Sequence, residues 1–588
     1  MTRPLPLRIP PGIVKIDSPN GARGRYVDSD KIRFVKGKAE KWAGWNQFHA
    51  TQLQGKARGA GSWTNEFGNT NVAFGTNLKL YALTGGDSIS DITPIRSTGT
   101  LGSNPFSVTS GDATVTVTHA SHGAAVGDFV TFGSAAAVGG ITIDGEYQID
   151  TKVDNNTYTI EHSSAATSTT TGGGASVTFS YEINTGSEGG VSGLGWGAGP
   201  WGEEAWSTPR TDGLAIELRH WSIQEYGGDI LVNPSGGGLY LWEEDTDTEA
   251  EVVANAPTSA RAMFLTGERF IMMLGTTTDM TVEWADRDDL TDWTPSDTNT
   301  ANTRTLQSGS KLMNGVRLVD NVSLIWSDTS LYVFQYLGDD FVYDSRLAGT
   351  HCGLVAPKAF VSVSGTAYWM SSRDFHMFSG SVQPIPNSED ISNYIYANMD
   401  PSQMNKTWCL YDEDNNQVRW HYVFTGSTEP DRYVDVSLED YSWTVGTLDR
   451  TTGTSYLPEA TSMLLVSSDG YIFEHNVGAD DDASAMEAFL TYGEYTISDG
   501  QYNVDVVGII PDCERQTGNL SFQVFTKDRP NDSSNLDSQT ATIGETDTIA
   551  DIRVEGRHFS MKVTSNVVGG DFRLGIVNLE IQRSGQRR

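Results

Sequence analysis

Gly238-Leu-Tyr-Leu-Trp242, Met280-Thr-Val-Glu-Trp284, Ser330-Leu-Tyr-Val-Phe334, Asp374-Phe-His-Met-Phe378 and Gly470-Tyr-Ile-Phe473 follow one plan. Each is a turn followed by a short strand that ends on an aromatic residue. Successive terminal aromatics lie 42, 50, 44 and 95 residues apart, and the last interval has room for two units. A second apolar strand precedes each motif, at 229–232, 269–274, 322–326, 367–370 and 463–466. A unit of roughly 40–50 residues that carries several strands has the period of a propeller blade. The expected fold is therefore all-β, a β-propeller core over 186–484 with its first strands in 61–97, at 70–74 and 78–83.

Working outward, composition agrees with many short strands. The chain has 588 residues, with 62 Gly, 15 Trp, 22 Tyr and 22 Phe, and Gly with Asn, Asp, Ser and Thr supplies tight turns. Residues 98–185 are rich in Thr, Ser, Ala and Gly. They alternate apolar and polar at 113–118, 157–160 and 177–181, the signature of half-buried strands. They are expected to form a small inserted β domain. Residues 485–588 are expected to form a C-terminal β domain, with strands at 520–526, 549–554, 559–564 and 573–581. One helix is expected at 388–399, with Ser388 as its cap, Glu389 and Asp390 in the first turn, and Ile391, Tyr394, Ile395 and Met399 on one face. The Gly-rich run 193–202 permits close backbone approach, with Trp196 and Trp201 as anchors. No Lys-Ser/Thr follows it, so it is not a phosphate loop.

Charge divides the chain. The net charge is −35, but the first 60 residues hold twelve basic and four acidic residues and carry +8. An acidic body repels polyanions and is unsuited to tight duplex binding, which needs phosphates neutralised by Lys and Arg. Residues 1–60 read as an extended basic segment, either an arm that docks on an acidic neighbour or a merely solvated stretch. Arg23, Arg25, Lys36 and Lys38 are its candidate assembly contacts, together with Trp196 and Trp201. Three scattered cysteines, Cys352, Cys409 and Cys513, make no disulfide framework. Prolines and arginines interrupt the first twelve residues, so no secretory leader is expected. No apolar run approaches the roughly 18 residues of a membrane span.

Constellations with catalytic or metal-binding potential are weak. His119 and His122 are three apart but flank a turn. Asp412, Asp414 and Asn416 alternate as in a calcium loop but lack its Gly and distal Glu. A hairpin between 407–411 and 417–424 explains them. Ser467-Ser-Asp-Gly470 resembles a glycosidase-propeller turn but occurs once and lacks the following Trp. No catalytic residue, metal or cofactor is assigned, and the chain is not expected to be an enzyme.

Four passages resemble the tail nozzle, or packaged-DNA-stabilisation, proteins of short-tailed bacteriophages. They are Pro11-Gly-Ile-Val14 with Gly24-Arg-Tyr-Val-Asp28, Lys31-Ile-Arg-Phe34, Trp42 and Trp45; the Gly-Trp-Gly run at 193–202; Asp374 to Phe378 with Pro384-Ile-Pro386 and the helix; and Gly556-Arg-His-Phe559 through Phe572-Arg-Leu-Gly575 to Arg587-Arg588. The insert resembles a small β module of phage tail proteins at His122-Gly123, Gly127-Asp-Phe-Val130 and Gly145-Glu-Tyr147. The resemblance implies a virion structural subunit assembled in the host cytoplasm. It implies a six-fold ring below portal and adaptor, neighbouring tail fibres or spikes, through which double-stranded DNA passes without sequence-specific binding or stable membrane insertion. The alternatives are a receptor-binding fibre or spike, and a glycan-binding or glycan-hydrolysing propeller.

Overall fold

The computed structural model describes residues 3–15, 18, 21–190, 217–244, 248–338, 341–455, 463–496, 502–530, 532 and 534–586. Among them, the only helical elements are α1 (Glu389–Asn398) and a single 3-10 turn (Met404–Lys406), so the chain is all-β. Among the described residues, seven four-stranded antiparallel sheets succeed one another as blades I to VII of a propeller. Their inner strands are Ala57–Thr64, Trp221–Tyr226, Ala262–Leu265, Leu312–Val319, Phe360–Val363, Trp408–Asp412 and Thr452–Gly453. Blade VII returns to blade I and closes the ring.

The aromatic-ended motifs are the third strands of blades II, III, IV, V and VII, and the strands before them are the second. Blade VI fills the long interval; its third strand, Arg432–Ser437, ends on Ser and escapes the pattern. Second strands pack against neighbouring blades on both faces, hence continuous apolar runs such as Ile271–Leu274, buried throughout.

Blades are wedged together by large aromatics. Trp221 inserts from blade II into blade I, and its Nε1 donates to the Thr76 carbonyl at 2.7 Å. It fits because the facing residue is Gly75: a Cβ there would lie 2.2 Å from the indole. Trp420 of blade VI likewise donates to the Ala359 carbonyl beside blade V at 3.1 Å.

Residues 1–60 do not form an extended arm. Tyr26–Asp30 pairs with Ala488–Tyr492, Lys38–Lys41 pairs with Asp571–Leu574, and Arg3–Pro6 pairs with Asn578–Gln586, so these strands belong to the C-terminal β domain. Lys36 and Gly37, at φ 50° and 75°, form the two-residue turn between Ile32–Val35 and Lys38–Lys41. Trp45–Gln47 then crosses to the propeller and becomes the outer strand of blade VII, paired with Ile472–His475. Periodicity missed these strands because each is five residues or shorter and pairs with partners more than 400 positions away.

The C-terminal domain comprises three sheets, each containing at least one N-terminal strand. One hydrophobic core runs from its Phe522 and Val563 through Tyr26 to Ile391 and Ile395 of α1 and Trp443 of blade VI. Ser388 does not cap α1 with its side chain; its hydroxyl donates to Asp374 instead, at 3.1 Å. The insert lies between blades I and II with a core of its own, including Phe106, Val117, Tyr158 and Tyr181. Its first and last strands, Ile95–Thr100 and Thr178–Glu182, pair with each other.

Two outcomes are expected. Trp45 is 3% exposed and donates to Asp481 at 2.7 Å. Trp45→Ala should cost about 3–5 kcal/mol in urea unfolding, whereas a surface-like loss below about 1 kcal/mol would mean that blade VII does not need this strand. Excising 101–177 and joining Thr100 to Thr178 through an Asn-Gly turn should leave the main thermal transition in place, because the insert's ends are already neighbours. Disappearance of that transition would show that the propeller depends on the insert.

Candidate functional site at the propeller channel

Every inner strand begins within two residues of a basic side chain. In blade order these are Arg58, His220, Arg261, Lys311, Lys358, Lys406 and Arg450. Inner strands of a propeller run in one direction, so these residues gather at one mouth of the central channel. A cavity of about 350 Å³ opens there, lined by Glu217, His220, Arg261, Lys311 and Asn405 among others. A second, of about 470 Å³, lies among the inner strands and is lined by Ser222, Gln224, Asn314, Arg317 and Lys358 among others.

The seven residues are satisfied unequally. Arg261 and Lys311 share Glu217, and Arg261 also reaches Asp279 at 2.9 Å. Arg58 and Lys406 meet at one oxygen of Glu429, at 2.6 and 3.0 Å. Burial opposes ionisation of Glu429, but Arg58 and Lys406 outweigh it and hold the carboxyl below its ordinary value. Arg450 turns away from the channel, donating to His475 at 2.9 Å and facing the rings of Trp45 and Phe473. His220 is kept neutral: burial first, then repulsion by Arg58 and Lys358, lower its pKa to about 3. The Lys358 carbonyl accepts from the Cys409 N–H at 2.8 Å, while burial pulls the pKa of its ammonium down to about 8.

Two other charged clusters serve the fold. Arg419 in blade VI makes a two-pronged contact with Asp435, at 2.8 and 3.1 Å, and lies 3.8 Å from the ring of Trp42. It thereby holds the N-terminal crossing against blade VI. Burial pushes Asp435 up to about 6 even against this partner. At the junction of insert and blade I, Lys79 contacts Asp91, Glu146 and Glu182, and its ammonium stands over the ring of Phe129. The three carboxylates are close enough to grip a metal ion, but the ammonium already occupies their centre. Burial, then the facing Glu146, push Glu182 well above its ordinary value, against the pull of Lys79.

The sequence-derived contacts are dispersed. Arg23 donates to the Thr496 carbonyl at 2.9 Å. Arg25 pairs with Asp390 of α1 at 3.2 Å, and Lys38 with Glu514 at 2.9 Å. Lys36 is exposed at its hairpin tip. Trp196 and Trp201 lie outside the described residues. His119 bonds the Tyr181 hydroxyl at 2.9 Å and His122 the Asp154 carbonyl at 3.0 Å, so each has its own role within the insert. Asp412 lies in the blade VI hairpin, bonding Asn415 at 2.8 Å. Reading the sequence motif by motif missed the channel residues. Aligning the units on their first strands, one basic residue before each, would have found them.

No family model and no curated protein matches this chain. Among solved structures it is similar to the extracellular domain of a hybrid two-component system protein from B. thetaiotaomicron, at 10% identity and TM-score 0.31 over 89% of this chain and 72% of that one. It is similar to the phage phi92 endosialidase at 11% identity and TM-score 0.15, over 85% of this chain and 65% of that one. It is also similar to the WD40 β-propeller domain of Doa1, at 12% identity and TM-score 0.23, over 42% of this chain and 88% of that one. Blade number and order rest on the strand pairing itself.

The Lys79 cluster sets a pH expectation. Glu182 has a folded pKa above its unfolded value, so it favours folding most at acid pH and loses that contribution as pH rises through the folded value. Thermal stability should therefore fall from about pH 5 to about pH 8 more steeply in the native chain than in Glu182→Gln. Parallel melting-temperature profiles for the two would contradict this account.

Proposed function

We propose that the chain is a structural, non-catalytic subunit of a short bacteriophage tail, forming a ring-shaped conduit that retains packaged DNA and guides its ejection. The observation that carries this reading is the use of basic side chains inside the fold. Lys15, Arg25, Lys31, Arg33, Lys38 and Arg58 each pair with a carboxylate of the same chain. Lys41 and Lys56 end on backbone carbonyls. Three of these pairs, Lys15–Asp28, Lys31–Asp30 and Arg33–Glu40, lie within the first 60 residues, and three reach the body at Asp390, Glu514 and Glu429, in a chain whose net charge is −35. A wall of that sign repels the phosphate backbone and lets a duplex slide, where a basic lumen would release counterions and hold it.

Ring formation follows from a head-to-tail contact whose rotation closes. The Lys36 hairpin tip, exposed beside the C-terminal domain, supports a contact with an acidic adaptor or neighbouring copy. The expected result is closed rings, seen by electron microscopy and native mass spectrometry of the chain with adaptor and neighbouring tail proteins. Particles made without the chain should package DNA and then lose it. A chain that stays monomeric beside those partners, or particles that retain DNA without it, would refute the reading.

A further inference from the structure

A groove of about 500 Å³ opens on the C-terminal domain, between residues 7–10, the hairpin tip 36–38 and the turn 574–576. Arg3–Pro6 and Ile32–Val35, the strands that lead into its first two sides, are edge strands of different sheets. Leu7, Tyr26 and Leu574 are buried beneath it, Ile9 is half-buried, and Ile576 is 39% exposed. Leu7 donates its N–H to the Val577 carbonyl at 2.9 Å, but among the described residues the N–H groups of Arg8 and Ile9 make no hydrogen bond. Donor use resumes at Ile13, on the Trp443 carbonyl. The charged lining is Arg8, Lys36, Lys38 and Asp512, three cations against one carboxylate in a chain of net charge −35. Asp512 is already engaged by the Ile576 N–H at 2.8 Å, and Lys38 by Glu514. Arg8 and Lys36 are exposed, and among the described residues the Arg8 guanidinium and the Lys36 ammonium have no partner.

We propose that this groove docks an extended acidic segment of a partner protein, in which carboxylates alternate with apolar side chains. Successive side chains of an extended segment point to opposite sides. One set meets the apolar floor and Ile576, and the other meets the exposed Arg8 and Lys36, where a guanidinium can take a carboxylate through two donors. The unused N–H groups of Arg8 and Ile9 are available to carbonyls of the segment, as in strand addition to a free edge. A nucleic acid fits less well. Its phosphates have nothing to set against the apolar floor, two uncommitted cations neutralise few of them, and the acidic body repels the rest. The inference deepens the assembly contact proposed for the Lys36 tip, and rests on that reading in taking the partner to be a protein.

The experiment is fluorescence anisotropy of the full chain at low salt. The probes are a short labelled peptide in which Asp alternates with Leu, its analogues with Lys for Asp and with Ser for Leu, and a single-stranded oligonucleotide. The variants are Arg8→Glu with Lys36→Asp, Ile576→Ser, and a control of equal charge change, Arg269→Glu with Arg317→Glu, two exposed arginines elsewhere. Asp is chosen at position 36 because it tolerates the φ of 50° there. The native chain and the control should bind the Asp-Leu peptide alike, and both analogues and the oligonucleotide more weakly. The Arg8, Lys36 double variant should bind it at least about tenfold more weakly with an unchanged melting temperature, Ile576→Ser should also bind it more weakly, and added salt should weaken native binding. Equal loss in the control, undiminished binding by the double variant, or tighter binding of the oligonucleotide would overturn the proposal. So would self-association of the native chain that the double variant abolishes without any binding of the peptide, which would assign the groove to a folded face of a second copy. Closed rings formed by a chain that binds no peptide would overturn this inference and leave the conduit reading standing; peptide binding by a chain that forms no rings would do the reverse.

Discussion

The structure depends on where its first 47 residues go. They supply strands to all three sheets of the C-terminal domain and then the outer strand of blade VII. A ring of blades is only as stable as its closure, because an open last blade exposes unpaired backbone and an apolar face. Here the closing strand is tied at both ends. Upstream, Tyr26–Asp30 is locked to the C-terminal domain and also bonds blade VI, where Ser29 donates to the Val445 carbonyl at 2.9 Å. Between the two bodies, Arg419 holds Trp42 against Asp435. Domain and propeller therefore share a core through α1 and cannot be separated by cutting the chain at one linker.

Charge placement follows from this threading. The basic leader pairs with carboxylates of its own strands, as Lys15 with Asp28 and Arg33 with Glu40, and with those of the body, as Arg25 with Asp390 and Lys38 with Glu514. Individually the exposed pairs contribute little, roughly 0–1 kcal/mol each. Their larger consequence is to remove positive charge from the surface. Some basic residues stay exposed, Lys36 at its hairpin tip among them, while one stands at the start of each inner strand of the propeller.

The insert shows a different kind of attachment. It has its own core and a paired entrance and exit, and it is fastened to blade I by Lys79 among three carboxylates. One ammonium among three acids leaves a deficit of positive charge, which burial makes expensive and which Glu182 relieves by holding a proton. This joint is therefore sensitive to pH in a way that the hydrophobic interfaces between blades are not.

By itself the sequence determined the all-β class, the blade period and the second and third strands of most blades. Those strands are local hairpins, buried on both faces, and they write their pattern in consecutive residues such as 271–274 and 280–284. It also marked the insert by composition and α1 by its apolar face. Only the tertiary structure decided that Arg3–Pro6, Tyr26–Asp30 and Trp45–Gln47 are strands, since their partners lie at the other end of the chain. The channel mouth was likewise invisible. Arg58, His220 and Lys358 are each unremarkable in their own stretch, and only the closed ring shows that they stand at the starts of inner strands. Local pattern records what a residue's neighbours in sequence bury. A constellation drawn from blades up to 300 residues apart is recorded nowhere but in the closure of the ring.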